Sequence, residues 1–238
     1  MNRRHPPIDI LVTCEHGGNR IPAEYRTLFR GHTRLLASHR GYDPGALDLG
    51  RTFARVLDAP LVASTVSRLL IELNRSPRHP ALYSTVTRAL ARHEKARIVT
   101  RYYEPYRREV EEHVARAPKR GEVMLHVSAH SFTPVLKGEV RTADVGLLYD
   151  PARPLERALC EAWSALLQSR IAPLRVRRNY PYRGTADGLT TYLRRRYDAD
   201  HYLGVEVEMN QRHVRKGTAH WRKLCNVVAL TLREIVRP

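Results

Sequence analysis

The chain opens on an apolar, β-branched run, residues 8–14, that breaks into Glu15-His16-Gly17-Gly18-Asn19. Such a run ending in polar and glycine residues predicts a buried strand that delivers a histidine at its carboxyl end. Asp43-Pro44 then starts a helical pattern in which Leu47, Phe53, Ala54, Val56 and Leu57 recur at helix spacing until Asp58-Ala59-Pro60 stops it. Residues 61–66 and 69–73 read as two strands joined by Ser67-Arg68. Helices are expected over 84–93 and 96–115, the second kinked or split by Pro105. Residues 122–128 read as a strand carrying His126, with His130 just past its end, and 145–149 as another. From 154 to 171, Leu155, Ala158, Leu159, Trp163, Leu166 and Leu167 fall on one amphipathic face. A strand at 174–178, a glycine-bearing loop, a helix at 188–197, a strand at 202–209 and a helix at 218–236 complete the pattern. Strands alternating with helices, with no repeat and no Pro- or Ser-rich linker, predict a single three-layer α/β domain over residues 1–238.

Composition changes this picture little and narrows the function. A chain of 238 residues suits one core, and its glycines and prolines are spread along it, which argues against disorder. No apolar stretch approaches the roughly 20 residues of a membrane helix. The N-terminal segment, with Arg3 and Arg4 before the short run Ile10-Leu11-Val12, lacks the core of a secretory leader, so a cytoplasmic protein is expected. Cys14, Cys160 and Cys225 are far apart and in no C-x-x-C pairing, which predicts neither a disulfide framework nor a structural zinc knot.

The formal net charge of +17 raises the question of nucleic acid, because counterion release by Lys and Arg drives phosphate-backbone binding. Only five of the 41 basic residues are lysines, and the arginines are scattered. The densest run, Arg194-Arg195-Arg196, continues a helical pattern and reads as a solvated face. Nucleic acid is therefore not the expected partner. An Arg-rich binding protein with a vestigial hydrolase site is the different-class alternative, recognisable by binding that weakens steeply with salt. A small anionic molecule is the ligand this charge favours.

Ligands of open α/β sheets bind outside the carboxyl ends of the strands, and four such ends carry polar residues. They are Glu15-His16, Glu72-Leu73-Asn74-Arg75, His126 to Phe132 with His130, and Glu206-Val207-Glu208-Met209-Asn210-Gln211, joined by His39-Arg40-Gly41-Tyr42-Asp43 before the first long helix. Two histidines with two or three carboxylates suit one Zn²⁺ ion that keeps a position open for water. A carboxylate that does not bind the metal would move the proton, and an arginine would grip a substrate carboxylate as lysine cannot. No G-x-S-x-G nucleophile elbow is present.

These motifs together, over residues 10–211, resemble the N-formylglutamate amidohydrolase family, which is similar to zinc carboxypeptidases and aspartoacylase-type deacylases. The resemblance implies a three-layer αβα, phosphorylase/hydrolase-like fold with a central mixed sheet. It implies a zinc amidohydrolase that cleaves N-formyl-L-glutamate, or a similar N-acyl acidic amino acid, to formate and the free amino acid. A related N-acyl amino acid deacylase or a carboxypeptidase-like peptidase is the same-class alternative. By the same resemblance His16 is the first metal ligand and His130 the last, Asn74 and Arg75 hold the substrate carboxylate, and Glu208 is the general base. The relatives have His-x-x-Glu where this chain has Asn19, and an amide is a poor zinc ligand. Asp43 is the expected second ligand, with Glu15 the alternative, although Asp43 before Pro44 is also a natural helix cap. Glu206 shares a strand face with Glu208 and competes for the role of base. The loop 178–188 is read as closing over substrate through Asn179 and Arg183, with Arg68 and Arg141 as weaker contacts of the same kind. His126 in its strand reads as a satisfied core histidine, and Tyr102, Tyr103 and Tyr106 as packing.

Overall fold

The β-branched run forms β1 (Ile8–Cys14), and its neighbours in the sheet fix where the polar strand ends meet. The computed structural model describes residues 6–237; Arg3 and Arg4, which enter the leader reading, lie outside them. After β1 the chain runs through the one-turn α1 (Thr33–Leu36), α2 (Ala46–Leu57), β2 (Leu61–Ala63), α3 (Arg92–Ile98), α4 (Glu104–Val114) and α5 (Arg116–Lys119). It continues through β3 (Val123–Phe132), the hairpin β4 (Val135–Leu136) and β5 (Glu139–Val140), β6 (Val145–Leu148) and α6 (Pro154–Arg170). β7 (Val176–Arg178), α7 (Leu189–Arg194), β8 (Tyr202–Asn210) and α8 (Thr218–Val236) follow. The six-stranded sheet has the order β2-β1-β3-β8-β6-β7. All neighbours are parallel except β6 against β8, so the sheet is mixed.

The two-residue period of the strands sorts side chains to opposite faces and gives the three layers. Ile10, Val12 and Cys14 face α2, α6 and α8 in one core, where Phe53 and Trp163 meet edge-on at 6.1 Å. Leu11, Met124 and Tyr202 face the other way, into a core completed by Val110 and Val114 of α4 and Leu193 of α7. The expected three-layer αβα class with a central mixed sheet is the class observed. No helix among the described residues is long and apolar enough to cross a membrane.

Three local expectations differ. Residues 69–73 turn rather than pair; Leu69, Leu70, Ile71 and Leu73 are buried in the second core, and an apolar run by itself does not separate a strand from a buried loop. Residues 84–91 also turn, because Ser84 Oγ accepts from Val86 N and Thr87 Oγ1 from Ser84 N, bonds that compete with a helix. The helix expected at 96–115 runs from α3 to α4 with no non-helical break, and a π-helical turn over Val99–Tyr103 lies just ahead of Pro105 and accommodates it.

β3 runs four residues beyond its expected end at 128, because β8 stays paired with it as far as Phe132 and Asn210. That extension sets His130 inside the strand, opposite Glu208 in register, and Ser128 opposite Glu206.

Candidate active site

β1 sits between β2 and β3; the chain leaves it for β2 on one side and then crosses to β3 on the other, and the crevice at such a reversal is where ligands bind in α/β sheets. Glu15 and His16 follow the end of β1, His130 comes from β3, and Glu206 and Glu208 from β8. Asp43 arrives from the loop before α2, fixed by a hydrogen bond from its N–H to His16 O at 3.0 Å.

Asp43 Oδ2 lies 3.2 Å from His16 Nδ1 and 3.1 Å from His130 Nδ1. The other nitrogen of each ring already has a carboxylate. His16 Nε2 contacts Glu72 Oε1, and His130 Nε2 lies 3.1 Å from Glu15 Oε2 and 2.9 Å from Ser128 Oγ. Glu15 is held in turn by Ser128 Oγ at 2.7 Å and Tyr106 OH at 2.8 Å, and it is fully buried. A proton on each Nε2 satisfies Glu72 and Glu15, and both Nδ1 lone pairs then face the anionic Asp43 Oδ2. Burial lowers the pKa of both imidazoles but the carboxylates around them outweigh it, so a second proton on either ring serves Asp43 when no metal is bound, and a metal ion at the same point would take that proton's place. The ligand atoms of His16, Asp43 and His130 lie within 4.8 Å of one another. This His₂–carboxylate set, with carboxylates behind both histidines, matches the donors and outer partners of a zinc site.

Arg68 binds the set from one side, donating to Asp43 Oδ1 at 3.2 Å and from Nε to Glu72 Oε2 at 2.7 Å. Burial raises the pKa of Glu15, Asp43 and Glu72, but the imidazoles, and Arg68 for the latter two, outweigh it. All three carboxyls lie well below the usual carboxylate range. If His16, Asp43 and His130 hold a metal, Glu72→Gln should keep its contact with His16 but lose the charge behind it, weakening the site's affinity for zinc by about 10–100-fold. Competition against a chromogenic chelator measures this; unchanged affinity would show that Glu72 does not set the ring's basicity.

Glu208 is different. It is 5 % exposed, and its Oε2 has no hydrogen-bond partner among the described residues. Burial pushes its carboxyl up, and the charges of Asp43 and Glu206 add to this against the pull of His130, leaving it at about 7. Glu206 accepts a hydrogen bond from Thr190 Oγ1 at 2.6 Å, so one of its oxygens is committed. A Cβ on Gly146, opposite Glu208 on β6, would lie 2.0 Å from Tyr180 O, so only glycine lets the 179–188 loop pass beside Glu208.

His16, Asp43, His130, Glu208, Asn74, Arg75 and Arg183 all line one cavity of about 200 Å³, together with Arg68, Tyr182 and Asp187. Arg75 Nη1 donates to Asn74 O at 3.2 Å and also to Asp187 O, and Asn74 Oδ1 accepts from Leu189 N at 2.7 Å. Asn179 does not reach the cavity, which corrects its expected place as a substrate contact. Its φ is +52°, and its Oδ1 accepts from Tyr149 N at 3.1 Å and Gly184 N at 3.0 Å, so it shapes the loop while Tyr182 and Arg183 face inward. Asn19 donates to Leu36 O, away from the histidines. Glu15 stands behind His130 rather than beside Asp43. His126 is a core histidine bonded to Thr13 Oγ1 and Tyr202 OH. Arg141 does not line the cavity; its Nη1 lies 3.1 Å from the Tyr182 hydroxyl and its guanidinium sits over the Phe132 ring at 6.0 Å. Nothing in the sequence pattern assigns Glu72 or Tyr182 a role; the one signal for Glu72 is that a metal-binding imidazole needs an acceptor for its second nitrogen.

Buried histidines and carboxylates at the strand ends of a three-layer mixed sheet, with arginines lining the same cleft, are the setting of a hydrolytic enzyme built on an α/β fold. The chain belongs to the N-formylglutamate amidohydrolase family, which it matches over residues 8–214, and the bond such a hydrolase acts on is an amide. A gene product of Agrobacterium tumefaciens of known crystal structure is 30% identical, with 95% of this chain and 89% of that chain covered and a TM-score of 0.80. The N-formylglutamate amidohydrolase of Ralstonia eutropha shares the fold at 20% identity, with 98% and 95% covered and a TM-score of 0.71. No curated protein matches the chain.

Proposed function

We propose that this chain is a zinc-dependent amidohydrolase, working in the cytoplasm, that cleaves N-formyl-L-glutamate or a similar N-acyl acidic amino acid. The observation that carries the proposal is the pair of imidazoles backed by Glu72 and Glu15, with both Nδ1 atoms turned on Asp43. His16, Asp43 and His130 would hold one Zn²⁺, which supplies Lewis acidity toward water and the acyl carbonyl. Glu208 takes the proton of the attacking water and passes it to the departing nitrogen, a task suited to a carboxyl near neutrality. Arg75 and Arg183, with Asn74, bind the carboxylate of the amino-acid half by charge-assisted hydrogen bonds. Glu72 and Glu15 keep the two rings in the orientation that turns Nδ1 inward. The products are formate and the free amino acid when the acyl group is formyl.

The test is formate release from N-formyl-L-glutamate by zinc-loaded protein beside a chelator-treated sample and a zinc add-back. Release that disappears with the chelator and returns with zinc is the expected result. One zinc per chain without release would reject the substrate and leave the metal site standing.

A further inference from the structure

Next to the catalytic cavity lies a second, more open chamber of about 370 Å³. Asp43, Arg68, Ser131 and Tyr182 line both and form the partition. Asn74, Arg75, Arg183 and Glu208 line only the first, whereas His39, Arg40, Tyr83, Arg88 and Phe132 line only the second. The proposed amino-acid end and the second chamber are therefore separated by these shared residues, Asp43 among them. A substrate with its carboxylate at Arg75 and its amide at Glu208 has its acyl group directed at the partition and the chamber behind it.

A formyl group is one carbon and cannot extend into that space. The catalytic cavity alone falls below the roughly 300–1,000 Å³ typical of small-molecule sites, and the two chambers together fall within it. The chamber's charges are also selective. Its two carboxylates, Asp43 and Glu72, are bound by Arg68 and the site histidines. Arg40 and Arg88 are exposed at its edge and make no ion pair among the described residues. His39 reports the same positive surroundings: burial lowers its pKa, and Arg40 and Arg68 lower it further against the opposite pull of Asp43. Leu69 and Phe132 give the chamber apolar wall for a short carbon chain.

We infer that the physiological substrate carries an acyl group several carbons long that ends in a carboxylate, so that it is an N-acyl acidic amino acid anionic at both ends. This rests on the amidohydrolase reading of the site and deepens it. Arg40 and Arg88 bind the distal carboxylate, Leu69 and Phe132 cover the methylenes, and Tyr182 with Arg68 forms the neck through which the chain passes.

The experiment uses N-formyl-, N-butanoyl-, N-succinyl- and N-glutaryl-L-glutamate with the zinc-loaded enzyme, and measures kcat/KM for each. Dissociation constants for the same series are measured with zinc-loaded Glu208→Gln, so that affinity is read without turnover. The succinyl or glutaryl compound should exceed the formyl compound by roughly tenfold or more in both measurements, since one fitting methylene is worth about tenfold. The double variant Arg40→Gln/Arg88→Gln should lose that advantage for the two dicarboxylic compounds and leave the formyl and butanoyl values within about twofold. Values that fall as the acyl group grows, or a double variant that affects all four compounds equally, would overturn the inference. Absence of turnover with the whole series, combined with the expected order of affinities, would instead reject the hydrolytic reading and leave the chamber's specificity intact.

Discussion

Glu208→Gln should lower kcat for amide hydrolysis by about 10²–10⁴-fold while the protein still binds one zinc per chain. Glu208 lines the cavity but is not among the three groups whose donor atoms converge, so the amide removes proton transfer and leaves the metal donors in place. Gln is close to Glu in shape, and the carboxyl's Oε2 makes no hydrogen bond that would be lost. The effect should fall on kcat rather than KM if, as proposed, the substrate carboxylate is bound by Arg75 and Arg183. The competing carboxylate, Glu206, is already bonded to Thr190, and Glu206→Gln should cost markedly less. Steady-state rates of the two variants beside zinc counts by atomic absorption decide the matter. Full activity in Glu208→Gln would remove it from the mechanism, and loss of zinc in the same variant would make it a ligand instead.

The same substitution has an opposite effect on the stability of the metal-free protein. A carboxyl whose pKa is raised by burial from 4.5 to about 7 binds more protons folded than unfolded between those values, so stability falls as pH rises through that window. Above pH 7 this corresponds to roughly 3 kcal/mol as an upper figure, and Gln carries no such burden. Metal-free Glu208→Gln should therefore unfold at higher denaturant than metal-free wild type at pH 8, with the gap closing toward pH 4.5. In the proposed mechanism, catalysis requires a group that the fold, by itself, disfavours in its working ionisation state.

How much of this was legible in the sequence differs between the elements and the contacts. β1, α2, α6, β8 and α8 show their period in the chain, and their polar ends marked His16, Glu208 and the loop with Asp43. The extension of β3 through Ala129-His130-Ser131 was not visible, because nothing in those residues is strand-like until β8 pairs with them. Residues 69–73 have a strand's apolarity without a partner strand, and burial against Tyr25 and Phe29 accounts for it. The ligand types were readable, but the roles of Glu72 and Arg68 were not, since they arise from contacts across the fold between His16, Asp43 and that turn. Asn179 carried a signal of its own. Asn tolerates positive φ and bonds nearby backbone, which is the chemistry of a turn as much as of a binding site.

Arg194, read from the sequence as part of a solvated face, is the residue whose loss should cost the fold most. It is 9 % exposed, and its Nε lies 3.0 Å from both oxygens of Glu156, which is fully buried. Its Nη1 donates to Gly184 O and its Nη2 to Gly204 O, each at 2.7 Å, so one guanidinium joins α6, β8 and the loop bearing Tyr182 and Arg183. Arg194→Met fills the same space but leaves Glu156 with Arg153, 3.4 Å away, as its remaining cation. An uncompensated buried charge costs about 3–5 kcal/mol, which for a domain of this size lowers Tm by roughly 10 °C. Because Gly184 O would lose its charged donor and keep only the weaker one from Thr191 Oγ1 at 3.2 Å, KM should rise more than kcat falls. Arg194→Met/Glu156→Gln should recover part of the stability by removing the stranded charge, while the Gly184 contact and the KM stay impaired. Denaturant unfolding at fixed zinc, with steady-state kinetics on both variants, separates these effects. A loss below about 1 kcal/mol in the single variant would mean that Arg153 alone satisfies Glu156.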